Sequence, residues 1–344
     1  MEDQIRIGVI GAGYWGPKLI RNFHELGETR IEIVADLDEE RLYKLQRTFP
    51  SVQVTTNYRD LFRSGVVAIV IATPVLTHFN LARESLLNGK HVLVEKPLTA
   101  SSWQARELVD LASERNLRLM VGHVFEYNPA VQVVRDIIQR GELGQIYFFD
   151  MVRATLGLFQ EDVNVIWDLA PHDFSILRFV LGCDPISVSA RGQAYIRPGV
   201  HDVAYITANF PNAVQAHIRI SWLEPKKQRR MTVVGSRKML VYDEEEPVEK
   251  VKIYDVGVEF TDSDRLGAGQ LHYRYGDIHS PHVPSLEPLQ EECRHFARVI
   301  QAGVEARTDG LVGLRIVQYL ELADRSLRNQ GELCKMDVVD KGVD

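Results

Sequence analysis

Three glycines near the N-terminus constrain the fold more than any other feature of the sequence. Gly11, Gly13 and Gly16 stand in the spacing G-x-G-x-x-G, directly after the apolar run IRIGVI and before an amphipathic segment that Pro17 opens. In a strand–turn–helix unit such glycines permit a tight turn, let the main chain approach a pyrophosphate and let the helix pack against the strand. Pro17 is compatible with the first turn of that helix. The sequence therefore predicts a dinucleotide-binding turn.

An acidic residue at the end of the second predicted strand bears on which dinucleotide binds. Asp36 closes the run IVAD and follows Gly13 by roughly the 20 residues at which a carboxylate binds ribose hydroxyls. Leu37 follows it, where an arginine would accept a 2′-phosphate, so NAD is favoured over NADP. Arg41, one helical turn later, leaves NADP as an alternative cofactor. The alternative for Asp36 is to cap the next helix, a role that also suits Asp38.

The alternation of elements along the chain predicts an α/β fold with two domains. Short β-branched runs alternate with helical stretches between residues 5 and 121, which is typical of a parallel sheet covered on both faces. Beyond residue 128 several strand-like runs follow one another without helices, which predicts an open, mostly antiparallel sheet. We place a Rossmann domain at residues 1–124 and an α+β domain at residues 125–344. Residues 261–287 are expected to form a long functional loop.

Composition excludes several classes of function. A net charge of -7 over 344 residues provides no electrostatic footprint for nucleic acid. No apolar run is long enough to cross a bilayer, and the N-terminus lacks the pattern of a signal peptide, so a cytoplasmic location is expected. Cys183, Cys293 and Cys334 are odd in number and widely spaced, which argues against a disulfide framework or a CxxC metal site. A small molecule is the expected partner.

The carboxyl ends of parallel strands are where ligands bind in this architecture. The run VIATPVLTH brings Thr73, Pro74 and His78 to one such end, so all three are expected to line the cofactor cleft. A position on an exposed helix face is an equal alternative for His78. Tyr14 and Trp15, inside the glycine turn, are also expected to contact the cofactor.

The stretch HVLVEKPLT ends an apolar strand with two charged residues and a proline. Lys96 falls at the edge where a nicotinamide would lie, and Pro97 fixes the main chain after it. A charged pair in this place is explained more readily by function than by packing, although an exposed lysine is the alternative. Glu95 would orient Lys96 or contact the nicotinamide side.

The segment WDLAPHD contains a candidate general base. Asp168 and His172 are four residues apart and share one face if the segment is helical, and a carboxylate beside an imidazole sets its orientation and proton affinity. Pro171 is expected in the first turn of that helix or at a kink. Metal binding is the rival interpretation, but no third ligand stands at a recognisable spacing. His279 and His282 lie on a Pro-rich stretch and are read as substrate contacts or solvated side chains, so no metal is expected.

Taken together, the motifs GVIGAGYWG, EKP, GHVFEYNP and WDLAPHD resemble the glucose-fructose oxidoreductase, inositol dehydrogenase and rhizopine-catabolism (Gfo/Idh/MocA) family. The resemblance implies that the Rossmann domain binds NAD(P) and that the second domain binds substrate and makes dimer contacts. It implies that Lys96 contacts the reacting hydroxyl and that Asp168 and His172 complete the catalytic site. The bond between Lys96 and Pro97 is often cis in such proteins.

Within the family, the runs GYWGPKLIRNF, WDLAPHD and SLEPLQEECRHF are similar to members that oxidise nucleotide-linked sugars at carbon 3, such as UDP-N-acetylglucosamine or its uronate. Arg153 is then a candidate anion contact, with a structural role as the alternative. Tyr127 and Asn128 are candidate substrate contacts, and Asn128 is also suited to cap the following helix.

We therefore expect NAD-dependent oxidation of a secondary hydroxyl of a sugar by a homodimer or homotetramer. An inositol or free-sugar dehydrogenase, a ketosugar reductase, an NAD-dependent glycosidase and a noncatalytic NAD-binding regulator are the alternatives. The regulator is disfavoured because a sensor needs the glycine turn but not Lys96, Asp168 and His172.

Overall fold

The computed structural model describes residues 4–157, 159–160, 163–261 and 270–336. The chain separates into two compact units. The first contains the chain up to Asn128 together with Leu286–Gln318, and the second contains Pro129–Ser285 together with the chain from Tyr319 onward. The division predicted at residue 124 did not anticipate that a segment near the C-terminus belongs to the first unit.

The first unit contains a six-stranded sheet in which all pairings are parallel. The strand order is β3-β2-β1-β4-β5-β6, so the order reverses direction between β1 and β4. In doubly wound sheets of this kind, ligands bind outside the carboxyl ends of the strands at the point of reversal. The predicted α/β class is confirmed. The strands are β1 (Ile5–Ile10), β2 (Thr29–Ala35), β3 (Gln53–Thr55), β4 (Ala68–Ile71), β5 (His91–Glu95) and β6 (Leu119–Gly122).

Helices connect these strands, as parallel pairing requires. Asp38 is the N-cap of the second helix, where its Oδ1 accepts hydrogen bonds from the amides of Glu40 and Arg41 at 2.9 and 3.2 Å. The capping role considered for Asp38 is thus confirmed. The helices are α1 (Gly16–Glu25), α2 (Glu39–Thr48), α3 (Val75–Leu87) and α4 (Ser102–Glu114), with 3₁₀ helices at Tyr58–Phe62 and Val124–Tyr127.

A helix from the C-terminal part of the chain completes the core of the first unit. This helix, α7 (Pro288–Gln301), buries Leu289, Cys293 and Phe296 in the same apolar cluster as the residues of β1 and α1. The ring of Phe296 packs edge-on against Phe23, with 6.3 Å between centroids. The helix lies within the residues assigned to the second domain from the sequence, but it packs in the core of the first unit.

The second unit contains a nine-stranded sheet in the order β14-β13-β12-β11-β7-β10-β9-β8-β15. Among the described residues, β7 and β10 form the one parallel pair of this sheet, so the predicted open and mostly antiparallel sheet is confirmed. The strands are β7 (Ile146–Ala154), β8 (Ser187–Gln193), β9 (Val203–Asn209), β10 (Gln215–Ser221), β11 (Gln228–Gly235), β12 (Met239–Asp243), β13 (Val251–Thr261), β14 (Gln270–His279) and β15 (Cys334–Lys335).

Strand β14 corrects one prediction. The stretch 261–287 is expected to be a loop because it is rich in Gly, Pro, Ser and His, yet Gln270–His279 is a strand that pairs with β13 in the antiparallel direction. Leu271, Tyr273 and Tyr275 alternate with polar residues there, which is the period of a strand. The remainder, residues 280–287, has no regular secondary structure, and residues 262–269 lie outside the described residues.

Three further helices are α5 (Pro129–Gln139), α6 (Val165–Leu181) and α8 (Gly310–Arg328), the last of which runs from the first unit into the second. Asn164 caps the start of α6, and Gly182 ends it at φ 70° in the left-handed region. Pro171 lies inside α6 rather than in its first turn, so the carbonyl of Trp167 receives no hydrogen bond from it. None of the helices among the described residues combines the length and the apolar character needed to cross a membrane.

Candidate functional site

The glycine turn lies between β1 and α1, and its geometry separates the three glycines. Gly11 has φ +100°, and a Cβ on it would stand 2.5 Å from the carbonyl oxygen of Ala72. A Cβ on Gly16 would overlap the carbonyl oxygen of Gly11. The packing of the turn therefore requires glycine at positions 11 and 16. A Cβ on Gly13 would meet only one described atom within 4 Å, the Arg41 Nη1 at 3.7 Å. The turn thus presents open main chain at Gly13, which fits the close approach of a pyrophosphate.

Asp36 connects the end of β2 to this turn. Its Oδ2 accepts a hydrogen bond from the Ala12 amide at 2.6 Å, and its Oδ1 accepts one from the Asp38 amide at 2.9 Å. Asp36 is not the helix cap, so the capping alternative holds for Asp38 alone. Each carboxylate oxygen has a further lone pair, which fits the ribose hydroxyls of NAD. Arg41 lies 3.9 Å from Asp36 and 3.2 Å from Asp38.

The aromatic pair of the turn is arranged around a lysine. Tyr14 is 71% exposed, and the rings of Tyr14 and Trp15 meet edge-on with 5.6 Å between centroids. The Lys18 Nζ stands 3.6 Å from the Tyr14 centroid and 4.4 Å from that of Trp15. These cation–π contacts hold an ammonium group beside the first turn of α1. Contact of Tyr14 and Trp15 with the cofactor stays a prediction.

His78 occupies a different place from the one expected. It is 1% exposed, with Nδ1 at 2.9 Å from the carbonyl oxygen of Pro97 and Nε2 at 2.8 Å from that of Thr73. Burial lowers its pKa, which favours the neutral ring. His78 therefore lies buried beneath the strand ends rather than lining the cleft. The neutral ring has one N–H, so it donates a hydrogen bond to one carbonyl oxygen at a time, that of Thr73 after β4 or that of Pro97 after β5. Thr73 and Pro74 remain at the strand end, where the Thr73 hydroxyl is 2.7 Å from that of Thr77.

The motif EKP stands at the end of β5, as expected: Glu95 is the last residue of the strand, and Lys96 and Pro97 follow it directly. Glu95 and Lys96 are half-buried, and the Lys96 amide donates a hydrogen bond to Glu95 Oε2 at 3.3 Å. The bond between Lys96 and Pro97 is cis, which confirms the expectation from the family resemblance. Burial raises the pKa of Glu95 to about 7, against the opposing charges of Lys96 and Lys18.

The first unit also buries two acids that sequence reasoning missed. Glu126 and Glu292 are 2% and 1% exposed. Burial raises the pKa of Glu292 well above its ordinary value, and the charges of Glu95 and Glu126 raise it further. Only the position of Glu292 on the apolar side of an amphipathic helix could have signalled its burial.

Tyr127 is buried rather than open to a substrate. It is 2% exposed, and its hydroxyl lies 2.9 Å from His295 Nδ1 and 3.3 Å from Thr308 Oγ1. This corrects the expectation of a substrate contact, because the hydroxyl is enclosed by α7 and the segment before α8. Asn128 is half-buried between the 3₁₀ helix and α5, and its contact with substrate stays a prediction.

In the second unit, Asp168 and His172 lie on α6 four residues apart, so they share a face as expected. Both are half-buried. The indole N–H of Trp222 donates a hydrogen bond to Asp168 Oδ2 at 2.9 Å, and Trp222 itself is 1% exposed. Trp222 follows β10, 54 residues beyond Asp168. A buried tryptophan therefore fixes the carboxylate of the predicted pair.

Arg153 forms a buried ion pair in the second unit. Its Nε lies 3.1 and 3.0 Å from the two carboxylate oxygens of Asp173, and its Nη2 lies 3.1 Å from Oδ1. The side chains are 7% and 3% exposed. This geometry corresponds to the structural alternative considered for Arg153, and its contact with substrate stays a prediction. The pair joins β7 to α6, next to His172.

No group of histidine, cysteine and acidic side chains within the described ranges is arranged to hold a metal ion. His279 ends β14, and His282 follows in the segment without regular structure.

Comparison with known proteins places both parts of the chain in one family. The description "Oxidoreductase family, NAD-binding Rossmann fold" matches residues 5–123, and the "GFO/IDH/MocA C-terminal domain" matches residues 131–241. UDP-N-acetylglucosamine 3-dehydrogenase from Acidithiobacillus ferrooxidans is 31% identical over 67% of this chain and 71% of its own length.

Two further proteins resemble the chain over most of its length. The dTDP-3,4-didehydro-2,6-dideoxy-alpha-D-glucose 3-reductase of Saccharopolyspora spinosa is 31% identical over 91% of this chain and 92% of its own. The crystal structure of GenD2 from gentamicin A biosynthesis in complex with NAD is 21% identical, covers 98% of both chains and superposes with a TM-score of 0.82, which is a likeness of fold. With its glycine turn and the two matching domain descriptions, the chain belongs to the GFO/IDH/MocA family of NAD-binding oxidoreductases.

Proposed function

We propose that the protein oxidises a secondary hydroxyl of a nucleotide-linked sugar, at carbon 3 of a UDP-N-acetylhexosamine or its uronate. The observation that carries the proposal is the position of Lys96, which follows β5 directly, at the sheet edge where ligands bind in this fold. The substrate class is supported by the two relatives at 31% identity, whose names both refer to carbon 3 of a nucleotide sugar.

NAD, when bound, supplies the hydride acceptor. The open main chain at Gly13 and the amides at the start of α1 would hold the pyrophosphate, and Asp36 would accept hydrogen bonds from the ribose hydroxyls. Thr73 and Pro74 would border the same cleft. Glu95 would lie on the nicotinamide side.

Three residues are assigned to the chemistry. The ammonium group of Lys96 donates a hydrogen bond to the reacting oxygen and stabilises the negative charge that develops there. His172 removes the hydroxyl proton, and Asp168 orients the imidazole. Because Trp222 donates a hydrogen bond to Asp168 Oδ2, the carboxylate keeps one orientation.

A second candidate function is reduction of the corresponding ketosugar. The observation in its favour is the relative from Saccharopolyspora spinosa, which is named a 3-reductase and covers nearly the whole chain. Lys96 and His172 would play the same parts with the proton moving in the opposite direction. Assays in both directions decide between the two.

The test is NAD reduction by the purified protein with UDP-sugars, dTDP-sugars, free hexoses and inositols. We expect turnover on a nucleotide sugar that falls at least a thousandfold in Lys96→Met and at least a hundredfold in His172→Asn, in the range of general acid–base contributions. His217→Asn, an exposed histidine on β10, is the matched control and should retain activity. Turnover confined to free sugars or inositol would refute the substrate class, and full activity in Lys96→Met would refute the mechanism.

We also propose that the protein is cytoplasmic and a homodimer or homotetramer that associates through the second sheet. Exposed apolar side chains on that sheet support the association of subunits, among them Tyr147 at 48%, Tyr205 at 58% and Tyr273 at 63% exposure. Light scattering of the purified protein gives the mass, and a monomer at micromolar concentration would contradict this assembly.

A further inference from the structure

Three carboxyl groups lie inside the first unit within reach of one another's charge. Glu95 ends β5, Glu126 stands on the 3₁₀ helix Val124–Tyr127, and Glu292 stands on α7. Burying a carboxylate is costly unless a cation or hydrogen-bond donors compensate. The three groups therefore cannot all be ionised without a compensating partner.

Glu292 has the least compensation. It is 1% exposed, and neither carboxyl oxygen has a hydrogen-bond partner among the described residues. The groups whose charges interact with it are Glu95 and Glu126, and both disfavour its ionised form. Tyr127 and Cys293 are also close enough for its charge to raise their pKa values. Among the described residues, the charges that act on an ionised Glu292 are therefore those of two acids.

Glu95 and Glu292 are packed against the same glycine. Gly122 pairs with Glu95 across β5 and β6. A Cβ on Gly122 would stand 3.2 Å from Glu95 Oε2 and 3.3 Å from Glu292 Oε1. The two oxygens are therefore no further apart than the sum of these distances, and the absence of a side chain at Gly122 gives them room.

The two carboxyls differ in their access to positive charge. Glu95 accepts the hydrogen bond of the Lys96 amide, and the charges of Lys96 and Lys18 favour its ionised form, whereas the charges that act on Glu292 are those of Glu95 and Glu126. Two carboxyls at such a separation cannot both ionise freely, and the proton remains on the one with less stabilisation of its anion.

We propose that above neutral pH Glu95 and Glu292 hold one proton between them, that it resides on Glu292, and that Glu95 is left as the single ionised carboxyl beside Lys96. As the pH falls below neutral, Glu95 takes up a second proton and the negative charge beside Lys96 disappears. The importance of that charge for turnover rests on the proposed function, but the location of the proton does not.

Infrared spectroscopy tests the location of the proton without any turnover. The carbonyl stretch of a protonated carboxylic acid is resolved from carboxylate stretches and moves in D₂O. We expect a band at pH 8 that is lost in Glu292→Gln and retained in Glu95→Gln. Glu291→Gln, the neighbouring acid on the same helix, is the matched control and should retain it. Persistence of the whole band in Glu292→Gln, or its loss in Glu95→Gln alone, would overturn the proposal. Glu292→Met, also uncharged, serves as the second variant.

The pH profile of kcat/KM provides the second readout. We expect kcat/KM of the wild type to fall as the pH drops through about 7, where Glu95 is protonated. This acid limb should stay in place in Glu292→Gln and disappear in Glu95→Gln, because a neutral Glu292 contributes no charge. A downward shift of one pH unit or more in Glu292→Gln would show that Glu292 was ionised and would refute the proposal. Absence of turnover on any sugar would refute the proposed function and leave the infrared result standing.

Discussion

Substitution by alanine should lower the stability of the ligand-free protein at Gly16, whereas at Gly13 it should weaken the binding of NAD. A methyl group on Gly16 would overlap the carbonyl oxygen of Gly11, so either the turn or the start of α1 must move. Overpacking of this kind costs about 1–3 kcal/mol. Since each kcal/mol lowers Tm by about 2–4 °C in a domain of this size, Gly16→Ala should lose several degrees without any ligand present.

Gly13→Ala should not destabilise the ligand-free protein. The φ of Gly13 is not in the left-handed region, and the methyl group would meet only the end of the flexible Arg41 side chain at 3.7 Å. Alanine at such a position stabilises the folded protein by about 0.4–1 kcal/mol, because the unfolded chain has less conformational entropy to lose on folding. The same methyl group would occupy the space assigned to the pyrophosphate. Loss of one hydrogen bond to a charged group costs about 1.5–3 kcal/mol, so the Kd for NAD should rise about tenfold to a hundredfold.

Thermal unfolding without ligand and calorimetric titration with NAD measure the two effects separately. Gly27→Ala is the matched control, because a Cβ there meets no described atom within 4 Å and its φ is not in the left-handed region. It should raise Tm as slightly as Gly13→Ala does and leave the Kd for NAD unchanged. The reasoning would be refuted if Gly13→Ala lost as much Tm as Gly16→Ala, or if Gly13→Ala bound NAD like the wild type.

Four other substitutions test separate parts of the structure. Asp36→Ser should weaken the binding of NAD at least tenfold and reduce the preference for NAD over NADP, because the carboxylate that repels a 2′-phosphate is removed. Titration with both cofactors measures the two affinities. His78→Leu should lower Tm and kcat/KM together, since the ring N–H that donates to the Pro97 or the Thr73 carbonyl is lost. His78→Asn should recover part of both quantities. Arg153→Met should destabilise the protein by about 3–5 kcal/mol in denaturant titrations, and adding Asp173→Leu should recover most of it. The pKa of Glu95 is higher in the folded than in the unfolded protein, so ionisation of Glu95 destabilises the folded state above pH 7. This destabilisation disappears as the pH falls toward 4.5. Glu95→Gln should therefore weaken the dependence of Tm on pH over that range.

Features that depend on neighbours in the sequence were predicted well. The glycine turn, the alternation of strands and helices, and the spacing of Asp168 and His172 are local patterns, because a helix or a strand imposes its own period on the side chains. The position of Lys96 followed from the end of an apolar run. Even β14 has the period of a strand, and it was missed because composition was given more weight than period.

Features that depend on distant partners could not be predicted in this way. The donor to Asp168 comes from Trp222, and the hydroxyl of Tyr127 meets His295, 168 residues later. A single sequence contains no signal for which of its four tryptophans or eleven histidines lies beside a given carboxylate or phenol. The buried position of Glu292 is of the same kind, because its neighbours come from β5 and the segment after β6. Side chains with two compatible roles, such as His78, were resolved only by their contacts.

The packing of α7 has a consequence for how this protein is made. The core beside β1 and α1 lacks Leu289, Cys293 and Phe296 until the ribosome has synthesised nearly 300 residues, although the six strands that need them are complete by Gly122. During that interval the nascent Rossmann sheet exposes the apolar surface that α7 later covers, and such surfaces bind chaperones or aggregate. A gene fragment that stops after the glycine turn and its sheet would carry every NAD contact proposed above and still be a poor choice for expression.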